Sequence, residues 1–265
     1  VESINQPING FPKIVMGSMP RDNGKLIIET YEEYQTIINE WPNLKKYIKK
    51  YIGSYELINN KERYVLWLNA AEYSQVKDNI WVRARVNAVK SFRELSKANS
   101  TRDAALTPYA FVQKGEWELA YLRFCESDRI EFLQIIIPRH SSENREYVPM
   151  GVLGEDTIIA DSAMAIYDAP IYLLGLLESR MHMTWMRAIG GKLETRYRYS
   201  AGLVYNTFPV PKISKQAKAE IEDCVFEMLD YREMSGKTLA ELYDAKKMPE
   251  ELLEIHQRLD LLVDK

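Results

Sequence analysis

Between residues 109 and 168 strand-like runs follow one another with little between them: "YAFVQ" at 109–113, "LAYLRF" at 119–124, "EFLQIIIPR" at 131–139, "YVPMGVLG" at 147–154 and "DTIIADSAMAIYD" at 156–168. Each is a short apolar run of strand length. Strands at that density imply a sheet-based core. The flanks read differently. In "YEEYQTIINEWPNLKKYIKKYI" (31–52), Tyr34, Ile37, Ile38, Trp41, Leu44, Tyr47 and Ile48 recur at three- and four-residue spacing, which predicts a helix, a turn near Pro42 and a second short helix. "RYVLWL" (63–68) is another strand, and helical spacing returns from residue 78.

"PIYLLGLLESRMHMTWMRAIGG" (170–191) predicts one helix stopped by Gly190 and Gly191, with Met181, Met183, Trp185 and Met186 packed into the core. After "FPVPKIS" the pattern becomes wholly helical, with Ser214 placed to cap. The expected class is α+β: a mixed sheet with flanking helices over residues 1–212, then an α-helical C-terminal segment, 213–265.

The chain has 265 residues, enough for a sizeable core. Its net charge is −3, so any nucleic-acid partner must meet a local basic surface rather than a global field. Cys125 and Cys224 are the only cysteines, which excludes a disulfide framework and suits two buried thiols in a reducing cytoplasm. No apolar run is long enough to span a bilayer, and no signal peptide is visible. The expected location is cytoplasmic, with no membrane partner. The start without Met and the close on "LDLLVDK" in a helical pattern predict a piece of a longer chain.

Catalytic signatures are missing from these residues. His140, His182 and His256 have no ligand-like spacing, and neither a nucleophile elbow nor a glycine-rich phosphate loop occurs. The stretch "GKLETRYRYSAGLVYNTFPVP" (191–211) is more informative. If extended, it puts Glu194, Arg196 and Arg198 on one face and Thr195, Tyr197 and Tyr199 on the other. In a DNA major groove a carboxylate accepts from cytosine N4 and a guanidinium donates to guanine O6 and N7, so this acid and base could read a C·G pair. Ion pairing on a solvated sheet face is the plainer alternative, and a helical Glu194–Arg198 pair is another. Arg187 and Lys192 make the surroundings locally basic, and Arg139, Ser141, Ser142 and Arg145 form a second phosphate-capable segment.

Blocks along the whole chain, "KIVMGSMPRDNGKLII", "KKYIGSYELINNKERYVLWL", "PRHSSENREYVPMG", "MHMTWMRAIGGKLETRYRYSAGLVYNTFPVP" and "LAELYDAKKMPEELLEIHQRLD", resemble in order the C-terminal portion of MmeI-like (type IIL/IIG) restriction-modification DNA methyltransferases. The resemblance implies a DNA target-recognition domain and the start of a helical C-terminal region. It implies a parent adenine-N6 methyltransferase that uses S-adenosylmethionine, with Mg2+ if a nuclease is also present. The partners it implies are double-stranded DNA and an upstream methyltransferase domain of the same polypeptide. No cofactor is expected on these residues.

By position the resemblance assigns base reading to Glu194, Arg196 and Arg198, and adds Ser162 with Asp161. It leaves Arg139, Ser141, Ser142, Arg145, Arg187 and Lys192 to the DNA backbone. His140 stands where a small apolar residue is common in the family. Two rivals are a hydrolase-like enzyme with a site from His140, Ser141, Glu143 and Cys125, and a protein-interaction module using the Trp and Tyr content.

Overall fold

The computed structural model describes residues 1–127, 130–193 and 196–265, with the backbone alone at 192–193. Its central wall is an antiparallel sheet in the order Ile14–Met16, Ala163–Tyr167, Gln134–Pro138, Gly151–Leu153. Side chains alternate across a strand, and here the alternation sorts residues into two cores. Ile136, Ala163, Ala165 and Tyr167 enter a first core, while Ile14, Ile135, Ile137, Met164 and Ile166 enter a second. Because both faces are covered, these strands read as continuous apolar runs rather than as alternating ones.

The first core is closed by a second sheet, Ile27–Ile28, Tyr64–Leu66, Ile48–Ile52 and Thr157–Ile159, and by the helices Tyr31–Glu40, Ile80–Glu94 and Trp117–Cys125. In that sheet Ile48–Ile52 runs parallel to Thr157–Ile159, so both strands point the same way toward residues 160–162. The second core is closed by the helices Tyr172–Leu177, Arg180–Ile189, Lys215–Met234 and Glu250–Val263. The fold is α+β, with a helical C-terminal region. Ser214 caps the long helix by accepting from the Ala217 N–H at 3.1 Å.

Several expected elements differ from this. Residues 119–124 are helical, because Trp117, Ala120, Tyr121 and Phe124 form a 3.6-residue face against the first core. Residues 109–113 are not a strand; they touch strand-like backbone only through the bridge Met19–Gln113. The expected second helix after Pro42 is one 3-10 segment, Pro42–Tyr47, followed by the strand Ile48–Ile52. Pairing to strands on both sides overrides its local helical spacing. The expected helix over 170–191 is two helices, broken where Ser179 accepts from the His182 N–H and caps the second. Met183 and Met186 are buried as expected, Trp185 is half-buried, and Met181 is exposed. Cys224 is buried, but Cys125 is exposed at the end of its helix, away from the core-facing stripe.

The helical region is locked to the sheet by a buried polar cluster. Arg232 donates to Glu178 Oε2 at 2.7 Å and to the Met150 carbonyl at 2.9 Å, while the Met150 N–H donates to Glu178 Oε1 at 2.6 Å. Tyr243 joins Arg232 to His256, whose Nε2 lies 2.8 Å from the tyrosine hydroxyl. Burial works against the Arg232 charge, but Glu178 and Tyr243 outweigh it and hold the guanidinium above its ordinary value. Asp260 ties in separately, accepting from the Tyr147 hydroxyl at 2.7 Å and the Arg180 N–H at 2.6 Å.

Removing one partner of such a pair strands a buried charge. Arg232→Ala is expected to lower unfolding free energy by about 3–5 kcal/mol, measured by urea denaturation; Glu178→Leu with Arg232→Met should recover most of that loss. The buried histidines set an acid limit. Burial depresses His182 to about 3, and burial followed by Arg232 depresses His256. The unfolded chain takes up these protons below about pH 6.5 and the folded chain does not, so their stabilisation is complete above that pH and is lost as pH falls. Between pH 6 and 4 His182 should contribute a slope of about 1.4 kcal/mol per pH unit, with His256 adding in the same direction. His182→Asn should remove one such slope in denaturation curves taken across that range.

Candidate nucleic-acid interface

A three-stranded sheet stands apart from the central wall, in the order Gly191–Leu193, Arg196–Arg198, His140–Ser141. Gly190 makes its abrupt start possible: its N–H closes the preceding helix on the Met186 carbonyl at 2.8 Å, and a Cβ there would lie 2.4 Å from that oxygen. Arg196 and Arg198 are exposed, Tyr197 is half-buried and Tyr199 is buried. The alternation read from the sequence thus puts guanidiniums outward and tyrosines inward over the described part of this stretch. Glu194 lies outside the described residues.

Tyr199 anchors the hairpin. Its hydroxyl lies 2.9 Å from His182 Nε2, and its N–H donates to the Arg139 carbonyl at 2.9 Å. Pairing of Tyr197 with Ser141 and of Arg198 with His140 fixes the register. Arg139 reaches the other way, donating to the Asp161 carbonyl at 3.0 Å. Burial raises the Asp161 carboxyl, against the pull of Arg139 and Arg63.

Ser162 follows, exposed, with its hydroxyl accepting from the Ser54 N–H at 3.1 Å and its carbonyl accepting from the Ser54 hydroxyl at 2.5 Å. Gly53 permits this, because a Cβ there would lie 2.2 Å from Ser162 Oγ. The turn at 160–162, the strand end at 139–140 and the hairpin therefore share one connected edge. Ser54 and Gly53 were missed from the sequence: no periodicity links residues 108 positions apart in the chain.

Arg187 is exposed and donates to the carbonyls of Arg145 and Glu146 at 3.2 and 3.1 Å. It thereby joins the loop after Ser142 to the helix that precedes the hairpin. Arg145 is half-buried, and burial lowers its guanidinium while Asp244 opposes this. Ser142 is half-buried and accepts from the Asn144 N–H at 3.3 Å. Ser141, in contrast, is turned inward with only 5% exposure, opposite Tyr197, so its hydroxyl is not presented to solvent. The Lys192 backbone pairs with Tyr197.

These groups form a donor-rich surface. His140 and Ser141 sit on opposite faces of one strand, and Cys125 ends a helix beneath the other core, so the hydrolase-like constellation is not assembled. Among the described residues no His, Cys, Asp and Glu grouping could hold a metal ion, and no helix is long and apolar enough to cross a membrane. An open groove lies elsewhere, between Tyr31, Tyr34, Tyr64, Lys45, Lys46, Lys49 and Lys50, and none of the predicted site residues lines it. None of the five tryptophans is exposed, while Tyr31 and Tyr55 are exposed at a distance from the hairpin in sequence.

Comparison with known proteins identifies the family and the fold. The family model described as "MmeI, target recognition domain" matches residues 1–212, and that described as "MmeI, C-terminal domain" matches 213–265. DNA methyltransferase A of Bacillus subtilis (strain 168) is 46% identical over 265 residues, which is 100% of this chain and 29% of the relative. A solved structure of the type IIL restriction-modification enzyme MmeI in complex with DNA superposes with a TM-score of 0.86 at 38% identity, covering 99% of this chain and 33% of that one. The chain thus spans about a third of the length of the relatives it matches.

The electrostatics of the edge are measurable at His140, one of only three histidines in the chain. Partial burial, then Arg139, Arg198 and Arg196, lower its pKa. A proton titration followed by NMR is expected to place its midpoint below about 6.5, and Arg198→Gln should move it upward by removing one neighbouring cation. An unchanged midpoint in that variant would show that Arg198 does not act on the imidazole.

Proposed function

This chain belongs to the MmeI family, and from that premise we propose that it is the sequence-reading part of a larger restriction-modification DNA methyltransferase. The observation that carries the proposal is the hairpin. Two guanidiniums at alternate positions project from one edge, backed by the half-buried Tyr197 and the buried Tyr199, in a fold that superposes on DNA-bound MmeI. Preorganised guanidiniums suit the paired acceptors of guanine in the major groove. They are held by backbone pairing rather than by flexible stems alone.

In this reading the division falls at residue 212, with residues 1–212 recognising the target and 213–265 beginning the helical C-terminal region. Glu194 and Arg196 read one C·G pair, with the carboxylate accepting from cytosine N4 and the guanidinium donating to guanine O6 and N7. Arg198 reads a neighbouring pair, together with Asp161 and Ser162 across the connected edge. Arg139, Ser142, Arg145, Arg187 and Lys192 contact phosphates and set the register on the duplex. Ser141, turned into the core, is not among them.

The chemistry belongs to other parts of the polypeptide. An upstream domain, binding S-adenosylmethionine, would methylate N6 of an adenine flipped out of the helix. Mg2+ would serve only a nuclease, if the parent carries one. This chain supplies the site at which that reaction is allowed. The protein acts in the cytoplasm, where its DNA is.

The reading is tested by mapping methylated sites with the intact polypeptide. Replacing Glu194 by Arg and Arg196 by Glu together is expected to invert the preferred base pair at one position and to leave the other positions alone. An unaltered map would overturn the assignment. Arg187→Ala should instead weaken binding to all sequences alike, and should reduce the slope of log affinity against log salt by about one.

A further inference from the structure

His140 has no part in the reading so far, yet the sheet register puts it beside the main readers. It stands directly opposite Arg198, and opposed residues of an antiparallel pair share a face. On its other flank Arg198 faces Gly191, where a Cβ would meet nothing within 4 Å. The outer row across the sheet is therefore Gly191, Arg198, His140: an open position, a guanidinium and an imidazole.

The chemistry of that row is complementary. A guanidinium only donates, so Arg196 and Arg198 suit guanine N7 and O6 or thymine O4, but neither can accept from the amino group of adenine or cytosine. An imidazole without its second proton can accept. Partial burial, then the guanidiniums of Arg139, Arg198 and Arg196, lower its pKa and so favour that form. Adjacent strands lie about 4.8 Å apart and stacked bases about 3.4 Å apart. The strand spacing is roughly one and a half base steps, so His140 faces the pair that Arg198 touches or one beside it.

We propose that His140 is a base-reading residue whose imidazole accepts a hydrogen bond from an exocyclic amino group, adenine N6 or cytosine N4, on the pair Arg198 reads or the next one. The proposal rests on the hairpin's assignment as the DNA reader. Where Arg198 takes a guanine, the partner cytosine's amino group is the natural donor to His140, and the two side chains read one pair jointly. Where the next pair is A·T, adenine N6 takes that place.

The test is a methylation map made with the intact polypeptide on targets randomised at each position. His140→Ala is expected to reduce the preference for an amino-bearing base about tenfold or more at one position and to keep the preferences elsewhere. The identity of that base, cytosine or adenine, tells the two donors apart. His140→Lys, which only donates, should turn the same position toward guanine or thymine, and His140→Gln, which keeps an acceptor, should retain the original preference. Unchanged preferences in the Ala and Lys variants, or an equal loss on every sequence, would overturn the proposal and make His140 a packing or phosphate contact. The Glu194 and Arg196 exchange in the same map separates the failures. If that exchange shifts the site while the His140 variants do not, only His140 is misassigned; if neither does, the hairpin is not the reader.

Discussion

The buried contact between Glu178 and Arg232 holds together everything else described here. It joins the end of Tyr172–Leu177, the start of the edge strand Gly151–Leu153 through both backbone groups of Met150, and the last turns of Lys215–Met234. A pair of charges in such a place is weak evidence of net stability, since well-packed apolar residues often do as well. It is strong evidence of a defined arrangement, because each partner is costly once the other moves. The second core tells the same story: Leu173, Leu174 and Leu177 pack with Ile221, Val225 and Leu259. The two matched family segments meet at residue 212, but they share one core. The division between them is one of family description more than of folding.

Much of this was legible in the chain itself, where local pattern and tertiary environment agree. Three of the four strands of the central wall, the capped helix at Ser214 and the alternation around Arg196 and Arg198 follow from spacing alone, whereas Ile14–Met16 is not marked by its pattern. The failures have a common cause. Ile48–Ile52 and Trp117–Cys125 are short apolar segments for which helix and strand patterns overlap, and partners far along the chain decide between them. The break at Ser179 escaped because apolar residues on both sides continue one stripe across the cap. Ser54 and Gly53 escaped because their relation to Ser162 exists only after folding.

The connected edge shows how a chain with an acidic balance can present a basic surface. Arg139 and Arg187 each spend donors on backbone carbonyls of neighbouring segments, so their guanidiniums also fasten the loops that carry them. The hairpin is fastened from beneath by Tyr199 and His182 rather than by its outer residues. Arg139, Arg196 and Arg198 thus gather around His140 on one edge. Such a distribution is invisible in net charge and follows only from topology.

The outer row of the hairpin belongs to neither core, and Gly191 leaves one of its places vacant. Packing is carried by Tyr197 and Tyr199, one residue out of phase with Arg196 and Arg198. The period of two therefore separates two kinds of selection along a single strand. Substitutions at the even-numbered positions change what the surface offers a partner, while those at the odd-numbered positions change whether the surface exists. A lineage of such proteins can diverge in what it binds at little cost in folding, and the vacancy at Gly191 gives it room to add a contact as well as exchange one.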